Sequence, residues 1–201
     1  MMVVAIVEGD GEVEAVPVLI RRLGEWLTPS TSIQLGKPIR VHRDRFLRRD
    51  PEFRRMLLLA AAKASESGGI LILLDADDDC PVELAATIRQ RASAVVPHRW
   101  VSVVCANREF EAWFLAAAES LDGKRGLSIS ADDAPREPDA IRGAKEWLSR
   151  RIADGRYRER TDQAALAATM DLGAARRRSR SFRKLCDEWL RLCSAVPSPP
   201  L

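Results

Sequence analysis

Three apolar runs, Met2 to Val7, Ile70 to Leu74 and Val101 to Ala106, the last interrupted only by Ser102, each stop at or just before a group of acidic residues. Runs of this length without polar alternation suit strands buried on both faces, the situation of strands inside a parallel sheet. A weaker segment, "PIRVH" from Pro38 to His42, suits a shorter strand near an edge. Helical patterns lie between and after them, at Val13 to Leu27, Pro51 to Ser65, Pro81 to Val95 and Glu109 to Ala118. Pro51 and Pro81 fall where a first helical turn tolerates proline. Strand and helix thus alternate four times, which predicts an α/β domain over residues 1–120. Its sheet is expected to be mostly parallel and four-stranded, with helices on both faces.

After Leu121 the texture changes. "LDGKRGLSISADDAPREPD" has no period and reads as a loop or short insertion. Helical patterns return at Ala140 to Ile152, Asp162 to Met170 and Ser181 to Leu192, so residues 121–201 are expected to form a helical, basic extension packed on the first domain. The closing "SAVPSPPL" reads as a frayed tail. No internal repeat is found.

At 201 residues, 46% hydrophobic and 30% charged, the chain can bury a substantial core. No apolar run reaches the roughly 18 to 20 residues of a membrane span, and the start lacks signal-peptide regions, so a cytoplasmic protein with no membrane partner is expected. Cys80, Cys105, Cys186 and Cys193 show no C-x-x-C spacing, and His42 and His98 lie far apart, which leaves no zinc pattern. Net charge is only +3, but it is uneven. Arg142 to Arg191 carries fourteen basic against seven acidic residues, and Lys37 to Arg55 eight against three. Basic flanks beside an acidic remainder suit a cation in the middle and a polyanion at the sides.

The carboxyl ends of parallel strands share one edge, where ligands bind. Glu8 follows the first strand, Asp75 and Asp77 end the third, and Glu109 and Glu111 follow the fourth, so these acids are expected to gather there. Like charges crowded together need protons or a cation, and hard oxygen donors suit Mg²⁺ or Mn²⁺. Asp75 and Asp77, two apart, share one side if the strand continues. For Asp78 and Asp79, capping and metal roles stay open. Glu109 and Glu111 point apart on a helix, so at most one is expected to face the pocket. Arg108 is placed to neutralise the cluster or meet a phosphate. "EGDGEVEAV" matches neither phosphate-loop pattern, and its acids would repel phosphate. Gly9 and Gly11 are expected to supply a tight bend that lets Glu8 project. In "ARRRSRSFRKL" Arg177, Arg178, Arg180 and Lys184 are candidates for backbone contacts to a nucleic acid, set against a solvated or ion-paired face.

The glutamate and glycine of "VEGDGE" followed by the D-x-D of "LLDADDD" resemble the TOPRIM version of the Rossmann-like fold, found in topoisomerases, primases and OLD-family nucleases. "VEGDGEVEAVPVLIRRL", "DADDDCP", "NREFEAWFLA" and "TDQAALAATMDLGAARRRSRSFRKL" are similar to a bacterial family of small TOPRIM-like proteins of unassigned function, related to RloB-like proteins and often encoded beside an ATP-binding partner. The resemblance implies that Glu8 is a metal ligand or general acid/base, that Asp75 and Asp77 bind metal, and that Glu12 is a second acid as in OLD-like nucleases. Asp79 stands where that pattern carries a glutamate. Tyr157, the one tyrosine, lies far along the chain from these motifs, so tyrosine-nucleophile chemistry is not expected.

The leading expectation is a Mg²⁺- or Mn²⁺-dependent nuclease acting on DNA or RNA, with Glu8, Asp75 and Asp77 catalytic and Glu12, Asp79, Glu109 and Glu111 as further ligands. The resemblance adds a role in anti-phage defence with an ABC- or SMC-like ATPase partner. Two rivals remain. One is a non-catalytic module that binds metal or nucleic acid; the other is a receiver-like domain phosphorylated on Asp75, for which no lysine at a later strand end is evident.

Overall fold

The computed structural model describes residues 1–66 and 68–195. The expected tail from Val196 onward lies outside the described residues. Five parallel strands form one sheet: β1 (Met2–Val7), β2 (Gln34–Leu35), β3 (Ile39–Arg40), β4 (Gly69–Asp75) and β5 (Trp100–Ala106). The order is β2-β1-β4-β5, with β3 pairing β1 further along the same edge as β2. The architecture matches the expected mostly parallel Rossmann-like α/β fold, with one strand more. The added strand, β2, has two residues and no periodicity to announce it; its pairing of Met2 with Gln34 comes from the edge that β1 offers.

Side chains of the long strands alternate between two buried layers, as a pleat requires. Val3, Ala5, Val7, Leu71, Leu73 and Val104 face α1 (Asp10–Leu27) and the later helices. Val4, Ile6, Ile70, Ile72, Leu74 and Val103 face α3 (Asp50–Lys63) and α4 (Pro81–Val95). A six-residue helix, α2 (Arg43–Arg48), precedes α3 and carries the buried Phe46 against Phe53. It is too short and too basic to show a period.

The expected helix from Glu109 to Ala118 is shorter. Phe110 and Glu111 lie in a turn, α5 covers Ala112–Ala116, and a 3-10 turn follows at Ala118–Leu121. The expected helix from Ala140 to Ile152 contracts to α6 (Ala144–Ser149), started by Gly143 at φ +72. The region expected as Asp162 to Met170 is a π-helical turn, Glu159–Gln163, running into α7 (Ala164–Thr169). The last helices are α8 (Leu172–Arg178) and α9 (Arg180–Ala195). Leu127, Trp147, Leu148, Phe182 and Trp189 share one core with the sheet, so the later helical region packs directly on the first. No helix among the described residues is long and apolar enough to cross a membrane.

Candidate functional site

The register sets where the acids stand. Val7 pairs with Leu73, and Asp75 with Ala106, so β1, β4 and β5 end on a common edge. Glu8 leaves β1 there. Gly9 is the extended N-cap of α1, and Glu12 turns back to accept the Gly9 N–H. That return bond satisfies an orphan donor of the helix and holds a carboxylate at its positive end. Glu12 is buried, as is Glu111 from the turn after β5. Asp75 Oδ1 accepts the Phe110 N–H at 2.8 Å, which ties the end of β4 to the same turn.

Three residues from the later region complete the cluster. Gln163 Nε2 donates to Glu12 Oε1 and to Glu111 Oε1, both at 3.2 Å, and so holds the two carboxylates together. A π turn, which closes over one residue more than an α turn, immediately precedes α7 and delivers Gln163 to this place. Gly11 leaves the room: a Cβ there would stand 2.9 Å from the Glu159 carbonyl and run into the Gln163 amide. Tyr157 donates its hydroxyl to Glu111 Oε1 at 3.1 Å. The single tyrosine, distant in sequence, is therefore inside the acidic cluster, a correction to the sequence reading. Burial and the Glu111 charge raise its pKa, which keeps the hydroxyl protonated and a poor nucleophile. Lys145, on α6, pairs with Glu159 at 3.0 Å. Burial pulls its pKa down, but Glu111 and Glu159 pull it further up, so the ammonium stays charged beside the acids.

Glu8, Asp75 and Glu111 resist ionisation. Burial, then Asp77 and Glu12, raise the pKa of Glu8, against the opposing pull of Arg43. Burial, then Glu111, Glu12 and Glu8, raise that of Asp75 well above the ordinary range. Burial lifts Glu111 to about 7 despite the counter-pull of Lys145. Glu8 Oε2, Glu111 Oε2 and Gln163 Oε1 are buried without a hydrogen-bond partner. Buried oxygens in this condition each cost free energy. Among the described residues no three acidic, histidine or cysteine side chains already stand as a closed ligand set.

Asp77 does not share the side of Asp75. The strand ends at Asp75, Asp77 adopts φ +50, and its half-exposed carboxylate pairs with Arg43 at the rim, still near enough to Glu8 to raise its pKa. Arg43, which sequence reasoning passed over, fixes this loop: its Nε donates to the Asp75 carbonyl at 3.1 Å, and its guanidinium meets Asp77 at 3.4 Å and Asp79 at 2.5 Å. Asp79 is therefore paired away from the cluster. Glu109 is also outside it, accepting the Lys145 N–H at 3.3 Å. Of the two glutamates after β5, Glu111 alone is in the cluster.

The basic candidates divide. Lys184 is bound to Glu188 at 2.5 Å, and Arg178 donates to the carbonyls of Ala116 and Pro135, so both serve packing. Arg177 and Arg180 are exposed. Arg180 begins α9, where Asp139 caps its N–H at 2.7 Å, and the Asp139 carbonyl accepts Asn107 Nδ2 at 2.9 Å just beyond β5. Arg108 lies at the rim, at φ +64, with its guanidinium on Asp78 at 2.9 Å. The four cysteines are free, two of them buried.

The molecule is thus an α/β protein with a desolvated carboxylate cluster at the carboxyl edge of a parallel sheet. The chain belongs to the family described as Domain of unknown function (DUF4276), whose model matches residues 7–189 and so takes in both the sheet and the later helices. No curated protein and no solved structure matches it.

Proposed function

We propose that this protein is a TOPRIM-like, Mg²⁺- or Mn²⁺-dependent phosphodiester hydrolase acting on nucleic acid in the cytoplasm. The observation that carries the reading is the meeting of Glu8, Glu12, Asp75 and Glu111 with three unpartnered buried oxygens on Glu8, Glu111 and Gln163. The donor set fits a hard divalent cation, since all are oxygens and most are carboxylates. Glu8, Asp75 and Glu111 would hold the ion, with Glu12 and the Gln163 carbonyl in support; Asp77 joins only if its loop leaves Arg43. A cation bound here supplies charge stabilisation on phosphate and an activated water.

The chain's own groups have separate tasks. Gln163 and Tyr157 orient Glu111 and Glu12. Lys145 offsets part of the negative charge and presents an ammonium toward a reacting phosphate. Arg108, Arg177 and Arg180 lie outside the cluster, where they would contact the backbone of a DNA or RNA strand. The TOPRIM and RloB-like resemblance supports this reading, and extends it to an effector in anti-phage defence with an ATP-binding partner.

A non-catalytic module that binds metal or nucleic acid is the second reading, favoured by the lack of a closed ligand set among the described residues. A receiver-like role has less support, because Asp75 Oδ1 is committed to the Phe110 N–H.

The test is hydrolysis of labelled DNA and RNA with Mg²⁺ or Mn²⁺, beside Asp75→Asn. A loss of about 100-fold or more in the variant is expected, the scale of removing one stabilising group from a transition state. Equal cleavage by the folded variant would reject the mechanism, and metal binding without cleavage of any nucleic acid would favour the second reading.

A further inference from the structure

We infer that Arg108 and Arg142 form a phosphate-binding fork at the rim of the acidic site, occupied in the free protein by the Asp78 carboxylate as an internal stand-in for the ligand. The inference rests on the nucleic-acid reading above and adds a subsite and a gate to it. Asp78 Oδ1 receives Arg108 Nη1 at 2.9 Å and Arg142 Nη1 at 2.6 Å. The Asp78 side chain is 74% exposed, so water alone would satisfy it. The two arginines come from different segments, one just after β5 and one just before α6, and converge on a single oxygen.

The backbone under the fork is strained. Arg108 at φ +64 and Asp77 at φ +50 are both left-handed without being glycine, and the Asp77 N–H bonds the Arg108 carbonyl at 3.0 Å. Such conformations persist where the surroundings impose them, and they gather at ligand clamps. A cavity of about 180 Å³ opens beside the pair, lined by Asp77, Asp78, Arg108, Glu109, Arg142 and Gly143. Guanidinium groups meet carboxylate and phosphate with the same geometry, so a phosphate can take the place of Asp78. Asp77 and Glu109 repel a bare anion at this spot. The fork therefore serves a phosphate carried in a nucleic-acid strand rather than free phosphate, and displacement of Asp78 frees the Asp75–Asp79 loop when the strand arrives.

The test is a double-mutant cycle on strand binding. Affinity for a labelled short single-stranded oligonucleotide is measured by fluorescence anisotropy, once in Ca²⁺ and once in EDTA, for wild type, Asp78→Asn, Arg142→Gln and the double variant. Asp78→Asn is expected to tighten binding about 1.5- to fivefold, the range of an exposed ion pair, with a smaller gain in the Arg142→Gln background, where Arg108 alone still holds Asp78. An equal gain in both backgrounds would mark a long-range charge effect and overturn the fork. Unlabelled oligonucleotide should compete strongly, inorganic phosphate weakly, and an uncharged-backbone oligomer not at all. Inorganic phosphate competing as well as the strand would overturn the strand assignment, and no binding by wild type or Asp78→Asn would overturn the whole. Coupled binding without hydrolysis under any metal leaves the fork standing while the hydrolase reading fails; hydrolysis with additive variants does the reverse.

Discussion

Glu188, on α9 and 3% exposed, gathers Lys184, Arg191 and Arg89 on one carboxylate oxygen at 2.5, 3.0 and 3.1 Å. Glu111, 0% exposed beside α5, receives one phenol and one amide and keeps its second oxygen unpartnered. Burial pushes the pKa of both upward, but at Glu188 the hydrogen bond and charge of Lys184, with the charge of Arg89, overcome it and hold the carboxyl below the ordinary range. At Glu111 burial prevails and the pKa rises to about 7. The same side chain thus fastens α9 to α4 at one place and stores an unmet demand for positive charge at another. A buried carboxylate is structural when the fold supplies its cations, and becomes a candidate for function when the fold withholds them.

The contrast breaks most sharply at Glu188. Glu188→Ala is expected to lower stability by about 2 kcal/mol in urea unfolding, less than the roughly 3 to 5 kcal/mol of a fully buried pair, because its three cations reach water. An unchanged midpoint would deny the clamp. Gly11→Ala is next. Within a helix this change ordinarily stabilises by about 0.5 to 1 kcal/mol, yet here the added methyl meets the Glu159 carbonyl and Gln163, so a loss of about 1 to 2 kcal/mol is expected. A gain would show that Gln163 is not held where it bridges Glu12 and Glu111.

The two glutamates should also titrate stability in opposite directions. Glu111 holds its proton in the folded state up to about pH 7, while the unfolded chain releases it near 4.5. Stability of the metal-free protein should therefore fall as pH rises from about 5 to 7, by on the order of 1 kcal/mol per pH unit. Glu188, with its folded pKa depressed, loses stability only as pH drops below 4.5. Denaturation between pH 3 and 8 in chelator resolves the two windows, and a flat profile between 5 and 7 would remove the stored charge demand. A single variant sharpens the assignment: Glu111→Gln should stabilise metal-free protein at pH 8 by about 2 kcal/mol and leave it unchanged at pH 5. Mn²⁺ should raise the melting temperature of the wild type at pH 8 more than that of this variant, since a ligand that binds only the folded state stabilises it. Equal shifts would place the ion elsewhere.

The sheet was legible because strands buried on both faces have to be nearly all apolar, as Met2 to Val7 is throughout and Val101 to Ala106 is except at Ser102. The helix from Pro81 to Val95 coincides with α4 because its ends are marked locally, by proline at one and loss of period at the other. Helices of six residues such as α2 and α6 leave less than two turns of pattern and are fixed by what they pack against. Asp77 stands at the rim for a related reason: the alternation that would align it with Asp75 holds only while the strand continues, and here the strand ends at Asp75 and a left-handed residue follows.

The sequence by itself determined that Glu8 and Asp75 stand on one edge, because parallel strands put their carboxyl ends together whatever else the chain does. It also determined that an acidic centre would lie among basic segments. Only the tertiary structure decided that Glu111 rather than Glu109 turns inward, that Tyr157, Lys145 and Gln163 join the acids from distant segments, and that Lys184 and Arg178 serve packing. Those outcomes depend on which surfaces are brought into contact and desolvated, and neither contact across long stretches of chain nor the loss of water is written in any local pattern of residues.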